Sequence, residues 1–198
     1  KSGNPVSLKE AVLSGMSADG GLFMPESIPK LDSSLIRKLP ELSFLEISQA
    51  IAEAFLTNDI PSRELENIVG RSMNIDLELR ELEPGLSVLE TYHGPTMAFK
   101  DFGARFMAQI MSYLIRGDNK ELTILVATSG DTGSAVANGF LGIPGIRVII
   151  LYPSGKVSPS QEKQLTTQGQ NIHALEVDGN FDDCQHLVKT AFADVGLR

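Results

Sequence analysis

Residues 122–155 read LTILVATSGDTGSAVANGFLGIPGIRVIILYPSG, and this stretch decides the fold class. Two short apolar runs, at 122–127 and 146–151, flank a segment at 134–141 whose apolar spacing is typical of a helix. A strand, a helix and a second strand in this order predict two parallel strands joined by a right-handed crossover. The stretch therefore favours an α/β fold.

The same alternation continues towards the end of the sequence. A helix-like segment at 158–167 is followed by a third apolar run at 172–177, and the last segment, at 181–195, again has helical spacing. Asn180 is the candidate N-cap of that last helix, because acidic residues follow it in the first turn. The sequence thus predicts a parallel sheet with flanking helices.

The residues before this region have a different character. Apolar residues recur at helical spacing within 44–55 and 65–69, and Pro61 and Ser62 indicate a helix start. The change falls near Glu83-Pro84-Gly85. We therefore expect a small helical N-terminal domain at 1–85 and an α/β domain at 86–198.

Composition excludes several classes of protein. The 198 residues include 25 acidic and 17 basic side chains, a net charge of −8 that is the wrong sign for binding nucleic acid. No apolar run is long enough to cross a bilayer and no export leader opens the sequence, so we expect no membrane association. The single cysteine, Cys184, suits a reducing cytoplasm, and the scattered His93, His173 and His186 indicate no metal site.

Lys100 stands out as a candidate catalytic residue. Apolar residues spaced by three or four predict a helix that begins near Thr96 or Met97, which places Lys100 in its first turns. The positive end of the helix dipole and partial burial both favour the neutral amine, and a neutral lysine can form a Schiff base. The alternative is a surface lysine paired with Asp101 or another nearby acid. The predicted apolar stripe consists of Phe99, Phe102, Phe106, Ile110 and Leu114.

The turn at 128–133, TSGDTG, is a candidate anion-binding loop. It joins a strand to a helix and offers hydroxyl groups together with several backbone amides, which suits a carboxylate or a phosphate. Alternatively, Asp131 or Thr132 simply caps the following helix. The loop lacks the Lys-Ser or Lys-Thr pair of a nucleoside-triphosphate loop and the glycine spacing of a dinucleotide site.

Three segments together resemble the bacterial threonine synthase family: HGPTMAFKDFGARFMAQ at 93–109, ATSGDTGSAVA at 127–137 and YPSGKVSPSQEKQ at 152–164. The segments SADGGLFMP at 17–25 and VDGNFDDCQ at 177–185 are similar to that family too. The resemblance implies a fold-type-II enzyme that uses pyridoxal 5'-phosphate (PLP). It also implies the last step of threonine biosynthesis, a lyase reaction from O-phospho-L-homoserine and water to L-threonine and phosphate.

The resemblance also implies roles for four residues. Lys100 matches the Schiff-base lysine, which moves protons when substrate has displaced it. Ser129 and Thr132 match positions that hold the substrate carboxylate. Asp131 matches the place of an asparagine that binds the phenolic oxygen of PLP. An ionised aspartate only accepts hydrogen bonds, so either Asp131 is protonated, or the cofactor oxygen keeps its proton, or Asp131 only caps the helix.

Two features of the resembling family have no match in this sequence. They are the later glycine-rich loop around the PLP phosphate and the segment that grips the substrate phosphate. We therefore expect the chain to be part of a longer enzyme, with an incomplete catalytic region. Two alternatives stay open: a related PLP-dependent phospho-lyase that makes no threonine, and a non-catalytic anion-binding fragment.

Overall fold

The computed structural model describes residues 4–17 and 19–197. Ala18, which belongs to the segment 17–25 singled out above, lies outside the described residues, as do residues 1–3 and Arg198. Helices fill the first part of the chain, which confirms the expected helical N-terminal region. They are α1 (Leu8–Ser14), α2 (Ser33–Lys38), α3 (Phe44–Leu56) and α4 (Ser62–Ser72), with a short 3₁₀ turn at Leu39–Glu41.

Helices α3 and α4 pack against each other, and their starts are well defined. Ser43 caps α3 by accepting a bond from the backbone of Glu46, whose carboxylate accepts one from the backbone of Ser43 in return. Pro61 precedes α4 and supplies a fixed backbone angle at its start. The buried residues of α4 include Leu65 and Ile68, so its apolar face forms the local core.

A β-hairpin follows this helical region and was not predicted. Strands β1 (Glu78–Glu83) and β2 (Leu86–Glu90) pair antiparallel, and Gly85 adopts a φ of 84° in the turn between them. Charged residues alternate irregularly with leucine here, so the sequence gives only a weak strand signal. The division into domains at 1–85 and 86–198 stays a prediction, and it falls between two hydrogen-bonded strands.

The second part of the chain has the predicted α/β fold. Its three strands lie in the order β3-β4-β5, and both pairings are parallel. Val148 and Ile150 of the central strand are fully buried. The elements are α5 (Lys100–Leu114), β3 (Leu122–Ala127), α6 (Asp131–Phe140), β4 (Ile146–Pro153), α7 (Pro159–Thr166), β5 (Ile172–Val177) and α8 (Phe181–Ala193).

The predicted cap of the last helix is confirmed. The Asn180 side chain accepts bonds from the backbone N–H groups of Asp182 and Asp183, and the Asp183 carboxylate accepts one from Asn180. Two acidic residues in the first turn also suit the positive end of the helix dipole. The chain as a whole divides into two compact units, residues 1–74 with 109–114, and residues 75–108 with 115–198.

The parallel sheet brings the turn at 128–133 and the loop within the resembling segment 152–164 to one edge. The carboxyl ends of β3 and β4 are at Ala127 and Pro153, and in a parallel sheet these ends lie side by side. The loops 128–130 and 154–158 therefore leave the same edge, where ligands bind in open α/β sheets. Among the described residues, no helix is both long and apolar enough to cross a bilayer.

Candidate active site

Helix α5 begins at Lys100, three to four residues later than predicted. The segment before it turns instead of forming a helix: the Met97 N–H donates to the Gly94 carbonyl, and Met97 itself has a φ of 58°. That left-handed conformation is unfavourable for a side chain with a Cβ and cannot continue a helix. Lys100 is therefore the first residue of its helix.

Asp101, the next residue, fastens this turn to the helix. Its side chain is fully buried and accepts hydrogen bonds from the backbone N–H of Thr96 at 2.9 Å and from the Thr96 hydroxyl at 2.6 Å. A Cβ at Gly94 would collide with the same carboxylate, so glycine is required there. The Gly-Pro-Thr turn is thus held against the first turn of α5.

The predicted apolar stripe is only partly buried: Ile110 is buried, whereas Phe102, Phe106 and Leu114 are half-buried. Phe99 is 62% exposed, whereas the deeply buried positions are small or aliphatic. The reason is a close helix contact, because a Cβ at Gly139 of α6 would lie 3.0 Å from the backbone carbon of Ala104. Large rings would not fit in that gap. The most buried apolar residues of the helix are Ala104, Ala108, Ile110 and Met111.

The Lys100 amine faces an acid from the neighbouring helix. Its Nζ lies 3.7 Å from Oδ2 of Asp131, the first residue of α6, and 4.7 Å from the centre of the Phe99 ring. Asp101, the partner considered from the sequence, is instead engaged by Thr96. The Asp131 carboxylate offsets the cost of a cation at a helix N-terminus. A lysine that is one-third exposed can still be reached by a ligand.

The loop at 128–133 is braced from inside by a threonine. The hydroxyl oxygen of Thr128, a buried residue, accepts bonds from the N–H groups of Gly130 at 3.0 Å and Gly133 at 2.8 Å. Two amides that the sequence suggested for anion binding are therefore already occupied. A Cβ at Gly133 would collide with Thr128 and Leu165, so this glycine serves packing.

The outward side chains of the loop remain accessible. Ser129, Asp131 and Thr132 are exposed, and they follow the end of β3 at the sheet edge described above. The N-cap of α6 is Gly130, which has no side chain. The Asp131 carboxylate accepts a bond from the Gln161 side-chain amide at 2.7 Å. Gln161 had not been singled out, although it lies within the resembling segment 152–164.

A second group of polar residues lies at the end of the hairpin. His93 Nε2 is 3.0 Å from Oε2 of the buried Glu90, and Arg80 lies 3.7 Å from its other oxygen. Hydrogen bonds from Tyr92 and then His93 lower the pKa of the Glu90 carboxyl below its ordinary value of 4.5. Glu78, Glu90 and His93 could each offer one ligand atom to a metal ion, and these three atoms lie within 4.8 Å of one another. The sequence did not indicate this cluster, in which Arg80 and His93 already provide partners for Glu90.

The single cysteine, Cys184, is in contrast a poor candidate for a nucleophile. Its thiol is fully buried in α8, and burial raises its pKa above the ordinary 9.0. A thiol of raised pKa is a poor nucleophile near neutral pH.

Comparisons with known families match both parts of the chain. Residues 1–73 match the family described as threonine synthase N terminus, and residues 77–197 match the family described as pyridoxal-phosphate dependent enzyme. The threonine synthase of Haemophilus influenzae is 48% identical over 193 residues, which are 98% of this chain and 44% of that protein. The threonine synthase of Escherichia coli is 46% identical over 98% of this chain and 45% of its own length.

Solved structures agree with these sequence matches. The crystal structure of threonine synthase from Escherichia coli superposes with a TM-score of 0.86 over 97% of this chain and 44% of that one, at 46% identity. The PLP-bound threonine synthase of Brucella melitensis gives a TM-score of 0.88 over 96% of this chain and 42% of that one, at 37% identity. The chain thus spans less than half the length of the relatives it matches.

Proposed function

The chain belongs to the threonine synthase family of PLP-dependent enzymes, and from this premise we propose an activity for the protein of which it forms a part. The protein converts O-phospho-L-homoserine and water into L-threonine and inorganic phosphate. The observation that carries the proposal is the pairing of the Lys100 amine with Asp131 across two matched segments. One residue offers an amine, and the other offers an acceptor 3.7 Å away.

The residues present fit PLP as the cofactor. A primary amine, one-third exposed at a sheet edge, suits the aldehyde of PLP, and the facing Asp131 carboxyl group would bind the phenolic oxygen through one shared proton. When bound, PLP withdraws electrons from the carbon atoms of a linked amino acid. Neither role needs Asp101, which is occupied in holding the Gly-Pro-Thr turn.

We assign two tasks to Lys100. It binds the cofactor covalently, and once substrate has displaced it, its free amine takes up and returns protons at the reacting carbons. The start of α5 is fixed by Asp101, so the base of the lysine side chain is held in place. Asp131 stabilises the ammonium form that each proton uptake produces.

Ser129 and Thr132 are proposed to bind the substrate carboxylate. Both side chains are exposed beside Asp131, and hydroxyl groups donate hydrogen bonds to an anion. The Thr128 hydroxyl keeps the loop in shape, so these two residues start from a fixed backbone. Asp131 is assigned to the phenolic oxygen of the cofactor, with Gln161 and Lys100 as its neighbours.

The proposed reaction makes the enzyme a carbon–oxygen lyase, and a cytoplasmic location stays a prediction. A related phospho-lyase would release phosphate from the same substrate but would yield a 2-oxo acid. Incubating the full-length protein with O-phospho-L-homoserine and measuring threonine, phosphate and 2-oxo acid separates these activities. Threonine and phosphate in equal amounts are expected; phosphate without threonine would favour the phospho-lyase.

The lysine assignment has its own test. In the full-length protein, Lys100→Ala should abolish turnover and leave folding intact, because it removes the amine that faces Asp131 and is proposed to bind the cofactor. Borohydride reduction followed by peptide mapping should find the cofactor on the peptide that contains Lys100. Lys189→Ala on α8 is the matched control and should keep both activity and labelling. Labelling of another lysine would refute the assignment.

A further inference from the structure

Gln161 of α7 is a second residue that contacts Asp131. Its Nε2 donates a hydrogen bond to Oδ1 of Asp131 at 2.7 Å, while the Lys100 Nζ lies 3.7 Å from Oδ2. The two oxygens of one carboxylate therefore face two different donors. One donor belongs to α7 and the other to α5.

The start of α7 decides which end of the Gln161 amide faces Asp131. The amide oxygen accepts bonds from the Ser158 N–H at 3.2 Å and from the Ser158 hydroxyl at 2.9 Å. A backbone N–H can only donate, so the amide oxygen must lie on the Ser158 side. The amide nitrogen must then face the carboxylate, and the amide cannot turn over without losing the cap.

The loop backbone leaves room for this side chain. Gly130 has a φ of 141°, and a Cβ at that position would collide with the Gln161 amide. Glycine suits this φ, and any larger residue would push the Gln161 amide away from its partners. Gln161 lies directly against the loop that carries the exposed candidate residues Ser129 and Thr132.

Asp131 needs such a partner because its side chain is 56% exposed. An exposed carboxylate held by one ion pair samples several rotamers. A short hydrogen bond to Oδ1 restricts that freedom and turns Oδ2 towards Lys100. We propose that Gln161 is a positioning residue, which holds the Asp131 carboxylate towards the Lys100 amine and the cofactor bound there. The inference rests on the function proposed above for Lys100 and Asp131.

One substitution separates this role from the capping role of Gln161. Gln161→Glu keeps a carboxyl oxygen at the third helical position, where glutamate is a natural partner of a serine cap. It removes the donor to Asp131 and places a like charge beside it. Gln161→Met keeps the length without donor or charge, and serves if the glutamate variant does not fold. Gln164→Glu makes the same charge change later in α7 and is the matched control.

The test uses the full-length protein with added PLP. The Gln161→Glu variant should lower kcat by about tenfold or more while KM changes by less than about threefold. In a pH titration, the visible absorbance of bound PLP should also change at a different pH from that of the wild type. The reason is that the carboxylate beside the phenolic oxygen has moved. Gln161→Met should change both quantities in the same direction, and Gln164→Glu should change neither. Asp131→Asn serves as the reference for a directly altered partner.

The outcomes distinguish this inference from the proposed function. If wild-type protein binds PLP and makes threonine, and Asp131→Asn moves the pH response, unchanged Gln161 variants overturn the role of Gln161 alone. If wild-type protein shows no visible band with PLP, the proposed function fails and the inference fails with it. If Gln164→Glu changed kcat and the pH response as the Gln161 variants do, the inference would also be overturned. The changes would then reflect the added charge on α7 and not the contact with Asp131.

Discussion

The carboxylate of Asp101 binds both the backbone N–H and the hydroxyl of Thr96, at 2.9 and 2.6 Å. The bond spans five residues and closes the turn that leads into Lys100. An interaction of a buried, ionisable group with a backbone donor fixes the chain more firmly than a neutral contact does. The position of the candidate catalytic lysine thus depends on the residue that follows it.

Replacing that carboxylate should destabilise the protein. Asp101→Asn keeps an oxygen for the Thr96 N–H and makes the Thr96 hydroxyl accept from its NH₂ group, so two hydrogen bonds to a carboxylate become neutral ones and we expect the free energy of unfolding to fall by about 1–2 kcal/mol. Denaturant unfolding followed by circular dichroism measures the change. Asp178→Asn, the same substitution at an exposed acid, should stay within about 0.5 kcal/mol of the wild type. Equal stability of both variants would show that Asp101 does not hold the turn.

The contact between α5 and α6 gives a second stability prediction. Gly139→Ala places a Cβ 3.0 Å from the backbone of Ala104, and we expect a loss of about 1–3 kcal/mol because neither backbone can easily move away. Gly70→Ala in α4 is the control, since its Cβ would point into open space. That change should raise stability by about 0.5–1 kcal/mol. Thermal unfolding of the two variants measures both changes. If Gly139→Ala unfolded at the same temperature as the wild type, α5 and α6 would not be in close contact at this position.

Thr132 should affect substrate more than cofactor. Thr132→Val in the full-length protein removes the hydroxyl proposed to bind the substrate carboxylate, which costs roughly 1.5–3 kcal/mol of binding free energy. Titration with substrate should show this loss, while the absorbance of bound PLP hardly changes. Thr123→Val makes the same change on an exposed face of β3 and should leave affinity unaltered. If Thr132→Val bound substrate with unaltered affinity, Thr132 would not be a ligand of the substrate carboxylate.

The cluster around Glu90 predicts how stability responds to acid. The folded protein lowers the pKa of Glu90 below its ordinary 4.5, so the ionised group stabilises the fold above that pH. This stabilisation is lost as the pH falls below 4.5 through the lowered value. Glu90→Gln should therefore unfold more readily near neutral pH and lose less stability on acidification.

Melting temperatures across the acid range provide the measurement. Glu83→Gln removes the same charge from an exposed position of the same hairpin, and its pH dependence should follow the wild type. If Glu90→Gln also followed the wild type, the hydrogen bonds from Tyr92 and His93 would not stabilise the folded state.

The sequence predicted the sheet well because its signals are local. The runs at 122–127 and 172–177 match β3 and β5 residue for residue, since each is apolar and bounded by turn residues. The start of α5 was placed too early, because the spacing of apolar residues does not reveal a left-handed residue at Met97. The hairpin was not predicted because charged residues interrupt the alternation of apolar and polar residues that is typical of a strand.

The candidate site was only partly predictable. Lys100 and Asp131 were singled out from their own segments, and their proximity required the fold. The bond between Gln161 and Asp131 joins residues thirty positions apart, which no local pattern reveals. The sequence also did not reveal that the Thr128 hydroxyl braces its own loop. Serine and threonine are common in any such turn, so their presence alone indicates no particular contact.

The strand order β3-β4-β5 also bears on how the chain folds during synthesis. Strand β4 pairs with β3, and β5 pairs with β4, so a growing chain can extend the sheet without waiting for later segments. Only one crossover helix has to form between successive pairings, which keeps the loops to be closed short. The turns around Lys100 and Asp131 can thus take shape while the chain is still being made.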